Sequence, residues 1–181
     1  MLPRSASASA PAPESPSQIN GTRAAYKLGG STIVPRSYSY SGTRPNVAYA
    51  DSGQELTNQG VGDPKNFLDP QWVGVPSANA ELSIRLGQTS SKVDWVAVHM
   101  LQNSTYGIYV PDQMEIRCRS TTGERRISVN YPYAQRMDGE YVFSNLSPLG
   151  MECTDIVIKF TSLQSWGLMF MDEIEMSSDS P

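Results

Sequence analysis

The feature that most constrains the fold of this chain is a repeated alternation of apolar and polar residues over short runs. In "AELSIRLG", apolar side chains occupy every second position from Leu82 to Leu86, and a glycine ends the run. This period of two is typical of half-buried β-strands. The runs "DQMEIRCRS", "GEYVFS" and "TDIVIKFTSL" show the same alternation, and no segment sustains a 3.6-residue period. The pattern therefore predicts an all-β chain, folded as an antiparallel β-sandwich or jelly roll.

One strand is expected to be buried on both faces. In "KVDWVAVHML" the apolar residues occupy both odd and even positions. A strand with this pattern needs cover above and below, which indicates a central place in the sandwich.

The composition suits one domain with a short appendage. The chain has 181 residues, of which the first 31 are rich in Ala, Ser and Pro. Such a composition cannot bury surface and is typical of an extended linker. We therefore expect a flexible linker over residues 1–31 and a β-sandwich domain over residues 32–177.

The charge and the catalytic residue types disfavour several classes of function. A formal net charge of −4 disfavours nucleic acid, whose phosphates require a basic surface. The sequence has no apolar run long enough to insert in a membrane. It has one histidine, His99, and no Gly-x-Ser-x-Gly motif around a serine, so we expect a protein that is not an enzyme.

The two cysteines are too few for a disulfide scaffold and lack metal-site spacing. In "MEIRC", Cys118 alternates with Met114 and Ile116 on one face of a strand. This position favours a packed core thiol, with a bridge to Cys153 as the alternative.

Several segments, taken in order, resemble the discoidin or coagulation-factor type C modules. Trp72, then "LSIRLG" at Leu82–Gly87, then "VDWVAVHML", are similar to a tryptophan, a strand ending in Leu-Gly and a Val-rich strand of that family. "GIYVPDQMEIRCRSTTGE" resembles the family's next strand and turn, and "WGLMFMDEIEM" its closing strand with an acidic pair. The opening "YADSGQELTN" resembles the loop that closes around a structural calcium.

The resemblance implies a galactose-binding-like jelly roll whose loops at one end bind glycans or, in some members, phospholipid or protein. Many such modules are attached to secreted enzymes that cut polysaccharides. The resemblance therefore implies an extracellular or cell-surface location and a glycan or polysaccharide partner.

A structural calcium ion is the expected cofactor. The loop "ADSGQELTNQGVGD" offers oxygen ligands of the kind that calcium prefers, on Asp51, Glu55, Thr57, Asn58 and Asp63. The resemblance adds Glu173, provided that the first and last strands lie side by side. Two departures are visible: Asn58 stands where the family has an aspartate in a Leu-Thr-Asp-Gly turn, and Arg85 replaces an acid. A solvated loop closed by its own turns is the alternative.

The expected glycan contacts lie after the central strand, in "VHMLQNSTYGIYVP". His99 ends that strand and is expected to emerge at the rim, where Gln102, Asn103 and Tyr106 follow. Amides, an imidazole and an aromatic ring suit a sugar site, and Tyr133 and Arg136 in "NYPYAQR" could converge on it. Alternatively, His99 only satisfies a backbone carbonyl. The three tryptophans are expected in the core: Trp72, Trp95 and Trp166.

These observations predict a non-catalytic carbohydrate-binding module that targets an attached enzyme or surface protein to a polysaccharide. The alternative is an extracellular protein–protein adhesion or assembly module of the same fold.

Overall fold

The computed structural model describes residues 17–18, 31–77, 80–85, 91–130, 137–145, 147–164 and 166–178. Twelve strands run through these residues: β1 (Ser17–Gln18), β2 (Ser37–Ser41), β3 (Val73–Pro76), β4 (Glu81–Arg85), β5 (Ser91–Val93), β6 (Trp95–Gln102), β7 (Gln113–Ser120), β8 (Gly123–Asn130), β9 (Gly139–Ser144), β10 (Met151–Cys153), β11 (Asp155–Thr161) and β12 (Leu168–Ser177). Three short 3₁₀ helices occur in the connections: Val47–Tyr49, Glu55–Thr57 and Ser104–Tyr106. In the described part of the chain, no helix is long and apolar enough to cross a lipid bilayer.

Two five-stranded antiparallel sheets form the sandwich. The first sheet has the strand order β1-β9-β6-β12-β3, and the second has the order β2-β4-β11-β7-β8. A small two-stranded sheet pairs β10 with β5. The predicted all-β sandwich is therefore confirmed.

The core lies between the two sheets. On β6, the side chains of Val96, Val98 and Met100 face it, and Ile116 and Ile158 face it from the second sheet. Burying each such side chain stabilises the fold by roughly 1.5–3 kcal/mol relative to leaving it exposed. The alternation in the sequence therefore separates core from solvent as expected.

A second apolar cluster covers the outer face of the first sheet. It contains Trp72, Leu101, Ile108 and Phe170, with Phe67 packed against it. Its cover is the long connection 42–72, which lies over β12 and β3. Every residue of β6 after Trp95 is buried, which confirms the prediction of a strand covered on both faces.

Two contacts fix the connection 42–72 on the strands. The pairing of β12 shifts register between Met171 and Glu173, and at this bulge the Asp172 carboxylate accepts a hydrogen bond from the Gly62 backbone N–H at 2.8 Å. On the edge strand β2, the Tyr38 and Tyr40 hydroxyls both donate to the Asp51 carboxylate. The connection is thereby held at the edge where the two sheets meet.

Cys118 and Cys153 form a disulfide, so the preference for a core thiol is wrong. Their Cα atoms are 5.5 Å apart and both side chains are fully buried. Alternation placed Cys118 correctly in the core, but it could not show that β10 passes beside β7 there. The alternative pairing is the correct one.

The N-terminal segment is described at two residues only. Ser17 and Gln18 pair with Val142 and Tyr141 of β9, so at this point the chain adds a short strand to the first sheet. The rest of the linker predicted over residues 1–31 falls almost entirely outside the described residues, so the linker stays a prediction. A segment that pairs with a sheet edge through its backbone hydrogen bonds needs no apolar alternation, so the sequence pattern does not reveal it.

Candidate functional site

One end of the sandwich gathers the described parts of three connections, which we call the Tyr106 pole: residues 103–112, 137–138, and 162–164 with 166–167. The strand register brings them together, because Gln102 at the end of β6 pairs with Gly139 at the start of β9. The Tyr109 backbone N–H donates to the Leu168 carbonyl at 2.8 Å, which joins the first connection to the third.

The loop after β6 projects Tyr106 into solvent. Asn103 and Ile108 exchange two backbone hydrogen bonds of 2.9 Å, and between them the chain makes one turn of 3₁₀ helix. Gly107 ends this turn in the left-handed region at φ 68°, which glycine adopts without steric cost. The Tyr106 side chain is 67% exposed at the tip.

Trp166 is the second exposed aromatic residue of the pole. It is 60% exposed, and its ring meets the buried Tyr109 ring edge-on at 5.1 Å between centroids. A Cβ added at Gly107 would lie 3.7 Å from the Trp166 ring, so Tyr106 and Trp166 flank the same glycine.

The expectation that Trp166 lies in the core is wrong. The last strand begins at Leu168, and Gly167 before it has a φ of +94°. A Cβ at Gly167 would lie 2.5 Å from the Gly107 carbonyl oxygen and 2.8 Å from the Tyr109 ring, so only glycine fits. This turn removes Trp166 from the strand's alternation, and the Trp-Gly pair was the sequence signal that could have indicated it.

A third ring supports Tyr106 from below. Phe67 packs against it with centroids 4.6 Å apart and planes tilted by 54°. Phe67 is itself anchored on the second apolar cluster. We call Tyr106, Trp166 and Phe67 the aromatic platform.

Polar groups surround the platform. The Asp138 carboxylate accepts from the Ser104 backbone N–H at 2.8 Å and from the Ser104 hydroxyl at 3.3 Å. The Asn103 Oδ1 atom is buried and has no hydrogen-bond partner among the described residues. Carboxylate, hydroxyl and amide groups of this kind can exchange hydrogen bonds with sugar hydroxyls.

Two predicted contact residues are buried instead of lying at the rim. His99 is 2% exposed on the outer face of β6, with its Nε2 atom 3.4 Å from Oε1 of Glu175. Gln102 is 4% exposed, and its Oε1 atom accepts from the Val110 backbone N–H at 3.0 Å. Because β6 continues through Gln102, the rim begins at Asn103 and not at His99 as predicted.

The structure places the other predicted contacts as follows. Asn103 is half-buried at the start of the loop, and Tyr106 is exposed, as expected. Tyr133 and Arg136 lie outside the described residues.

A groove adjoins the platform. It has a volume of about 340 Å³ and is lined by Val47, Ala48, Tyr49, Ala50, Asp51, Ser52, Glu55, Leu68, Asp69, Pro70 and Trp72. Phe67 of the platform and Leu68 of the groove are consecutive residues, so the two surfaces lie next to each other.

Asp51 and Glu55 form the charged side of the groove, and hydrogen bonds from neighbouring residues hold both side chains in place. Burial, together with the neighbouring Glu55 carboxyl, raises the pKa of Asp51 above its usual value. Burial also opposes ionisation of Glu55, but hydrogen bonds with Asp51 and Ser52 outweigh it and lower the Glu55 pKa to about 2. Burial and the Asp51 carboxylate raise the pKa of Tyr38 and Tyr40, so both remain hydroxyl donors. Glu55 therefore carries a negative charge at neutral pH.

Most of the side chains predicted to bind calcium are engaged in hydrogen bonds with other groups. Asp51 accepts from two tyrosines, Asn58 bonds to Gln71 and Gly60, and Asp63 accepts from the Lys65 backbone N–H. Glu173 is buried on β12, opposite His99. Among the described residues, no group of three or more His, Cys, Asp or Glu side chains could hold a metal ion. The calcium ion therefore stays a prediction.

The sequence matches no family model and no curated protein. Solved structures of similar shape include the family 32 carbohydrate-binding module of Clostridium perfringens NanJ in complex with galactose, at a TM-score of 0.53 and 14% identity, covering 80% of this chain and 96% of that one. The lectin domain of lectinolysin complexed with Lewis b antigen aligns at a TM-score of 0.55 and 11% identity, covering 82% and 96%. A chitosan-binding module from a chitosanase/glucanase of Paenibacillus sp. IK-5 aligns at 0.51 and 12%, covering 81% and 98%. At these identities the likeness shows a shared fold.

Proposed function

We propose that this chain, which has the discoidin-like galactose-binding fold, is a non-catalytic glycan-binding module whose binding surface is the aromatic platform. The observation that carries this proposal is the pair of exposed rings, Tyr106 and Trp166, at one pole of a rigid sandwich.

Exposed aromatic rings suit the chemistry of sugars. A pyranose presents C–H groups on its faces and hydroxyls around its edge, so a ring stacks on the faces while polar groups bond the edge. Phe67 holds Tyr106 from below, so little side-chain freedom is lost when a ligand binds. Ser104 and Asp138 supply hydrogen-bonding groups beside the ring.

The similar structures support this chemistry. The module of NanJ binds galactose, the lectinolysin domain binds Lewis b antigen, and the Paenibacillus module binds chitosan. We propose the same general class of ligand here, and a role in attaching a larger enzyme or surface protein to a polysaccharide. A single weak site gains effective affinity when it is tethered beside others.

An extracellular location is part of the proposal. The buried disulfide between Cys118 and Cys153 supports it, because such bonds persist in oxidising compartments.

A protein partner is the second candidate. Aliphatic side chains also stand exposed at or beside the pole, with Leu163 85% and Met137 64% exposed. Such groups favour a protein surface over a sugar, since they offer no hydrogen bonds and no ring face.

The test is a glycan array, followed by calorimetry on the glycans that bind. We expect Tyr106→Ala and Trp166→Ala each to weaken binding about fivefold or more, since a lost ring contact is worth roughly 1 kcal/mol. Tyr106→Phe is the matched control, because it keeps the ring and removes only the hydroxyl. A full-range array without any binding would refute the glycan proposal and favour the protein partner.

A further inference from the structure

We propose that the groove is a second sugar subsite continuous with the aromatic platform, so that the ligand is an oligosaccharide of uncharged or cationic units. This inference rests on the proposed function and names the class of glycan that the same surface takes.

The size and the lining of the groove suit a sugar ring. Its volume of about 340 Å³ lies at the lower end of the range of small-molecule sites, roughly 300–1,000 Å³. Its walls combine apolar side chains, Leu68 and Val47 among them, with the oxygen atoms of Asp51, Ser52 and Glu55. Sugars need both kinds of surface, one for the C–H faces and one for the hydroxyls.

The position of the groove argues for one continuous ligand. Phe67 contacts Tyr106 at 4.6 Å between ring centroids, and the next residue, Leu68, lines the groove. Leu68 is 75% exposed, so its side chain forms an uncovered apolar bridge between the two sites. A single sugar would leave one of the two sites empty.

The charge of the groove limits which sugars enter. Its described lining includes the carboxylates of Asp51, Glu55 and Asp69 and contains no lysine, arginine or histidine. A uronic acid or a sulfated unit would therefore meet like charge in a partly enclosed space.

The first experiment measures the dependence on chain length. Calorimetry compares galactose with its β-1,4-linked tetramer, and N-acetylglucosamine with its tetramer. We expect at least one tetramer to bind about tenfold more tightly than its monomer. Leu68→Ala should weaken tetramer binding more than monomer binding and so remove most of this advantage. Val34→Ala is the matched control, because Val34 is also exposed but lies beside the far end of β12.

The second experiment measures charge selection. Tetragalacturonic acid is compared with its methyl ester, which has the same linkages and no charge. We expect the free acid to bind about tenfold more weakly than the ester. The double variant Glu55→Gln, Asp69→Asn should bring the two affinities within about threefold, since each amide keeps one oxygen acceptor.

The outcomes separate this inference from the function on which it rests. Equal affinity for monomers and tetramers, or an equal effect of Leu68→Ala on both, would overturn the second subsite and leave the glycan function intact. Equal binding of the free acid and the ester by the wild-type protein would overturn the charge selection. Absence of binding to any of these sugars, with an array that is also negative, would overturn both proposals.

Discussion

Removing the disulfide is the perturbation whose effect can be calculated most directly from the structure. The bond joins Cys118 on β7 to Cys153 on β10 across a sequence separation of 35 residues. In the chain-entropy model, a closed loop of this length lowers the entropy of the unfolded chain by roughly 12.7 cal/mol/K, or about 3.8 kcal/mol at 25 °C. This is a large part of a typical domain stability of about 5–15 kcal/mol.

The assay is equilibrium unfolding in urea of three samples. They are the oxidised wild-type protein, the Cys118→Ala/Cys153→Ala variant, and the wild-type protein reduced with dithiothreitol. Alanine is preferable to serine because both sites are fully buried, and a hydroxyl there would lack a partner. The reduced protein is the matched control, since it keeps both sulfur atoms in the core.

We expect both samples without the bond to lose about 3–4 kcal/mol and to show a steeper denaturant dependence, because their unfolded chains expose more surface. Binding at the Tyr106 pole should be unchanged while the protein stays folded, since the bond does not touch that pole. A reduced protein within about 1 kcal/mol of the oxidised one would refute the reasoning.

Four further predictions follow from single contacts. Asn145→Ala should lower the free energy of unfolding in urea by about 3 kcal/mol. Its buried amide accepts a hydrogen bond from the Val96 N–H and donates to two backbone carbonyls. A loss below about 1 kcal/mol would contradict this. Gly167→Ala should lower stability by about 1–3 kcal/mol and weaken glycan binding, because it adds a Cβ at φ +94° against the Gly107 carbonyl. Unchanged binding would show that this turn does not position Trp166. Since the Glu55 pKa is depressed from 4.5 to about 2, its contribution to stability is present above pH 4.5 and is lost as the pH falls toward 2. Glu55→Gln should flatten that part of the plot of unfolding free energy against pH by about 1 kcal/mol after solvent screening. An unaltered plot would contradict this. If the loop 51–63 holds calcium as the sequence predicts, EDTA should lower the melting temperature by several degrees, and an unchanged melting temperature would remove that prediction.

The sandwich could be predicted because burial acts on each strand separately. A strand with one face in the core must alternate, and a strand such as β6 with both faces covered must not. The register of β12 against β6, and the bulge at Asp172, follow from contacts between distant strands. Alternation in one strand contains no information about its partner.

The loop after β6 was predicted to carry the binding site, and that site stays a prediction. Tyr106 is exposed as expected, whereas His99 and Gln102 are buried, because the strand continues farther than its apolar run suggests. Trp166 was assigned to the core because it continues the alternation of Leu168 and Phe170, and the left-handed Gly167 ends that alternation. Phe67 joins the platform from a connection more than thirty residues away in the chain.

The sequence by itself determined the class of fold, the covered central strand and the loop that carries Tyr106, because these depend on residue types that are close together along the chain. The tertiary structure alone decided that Phe67 supports Tyr106, that Trp166 turns outward, that Leu68 leads into the groove, and that Cys118 meets Cys153. Each of these is a meeting of segments far apart in sequence. Such meetings are fixed by how the two sheets and the long connection pack together, and side-chain periodicity does not encode that packing.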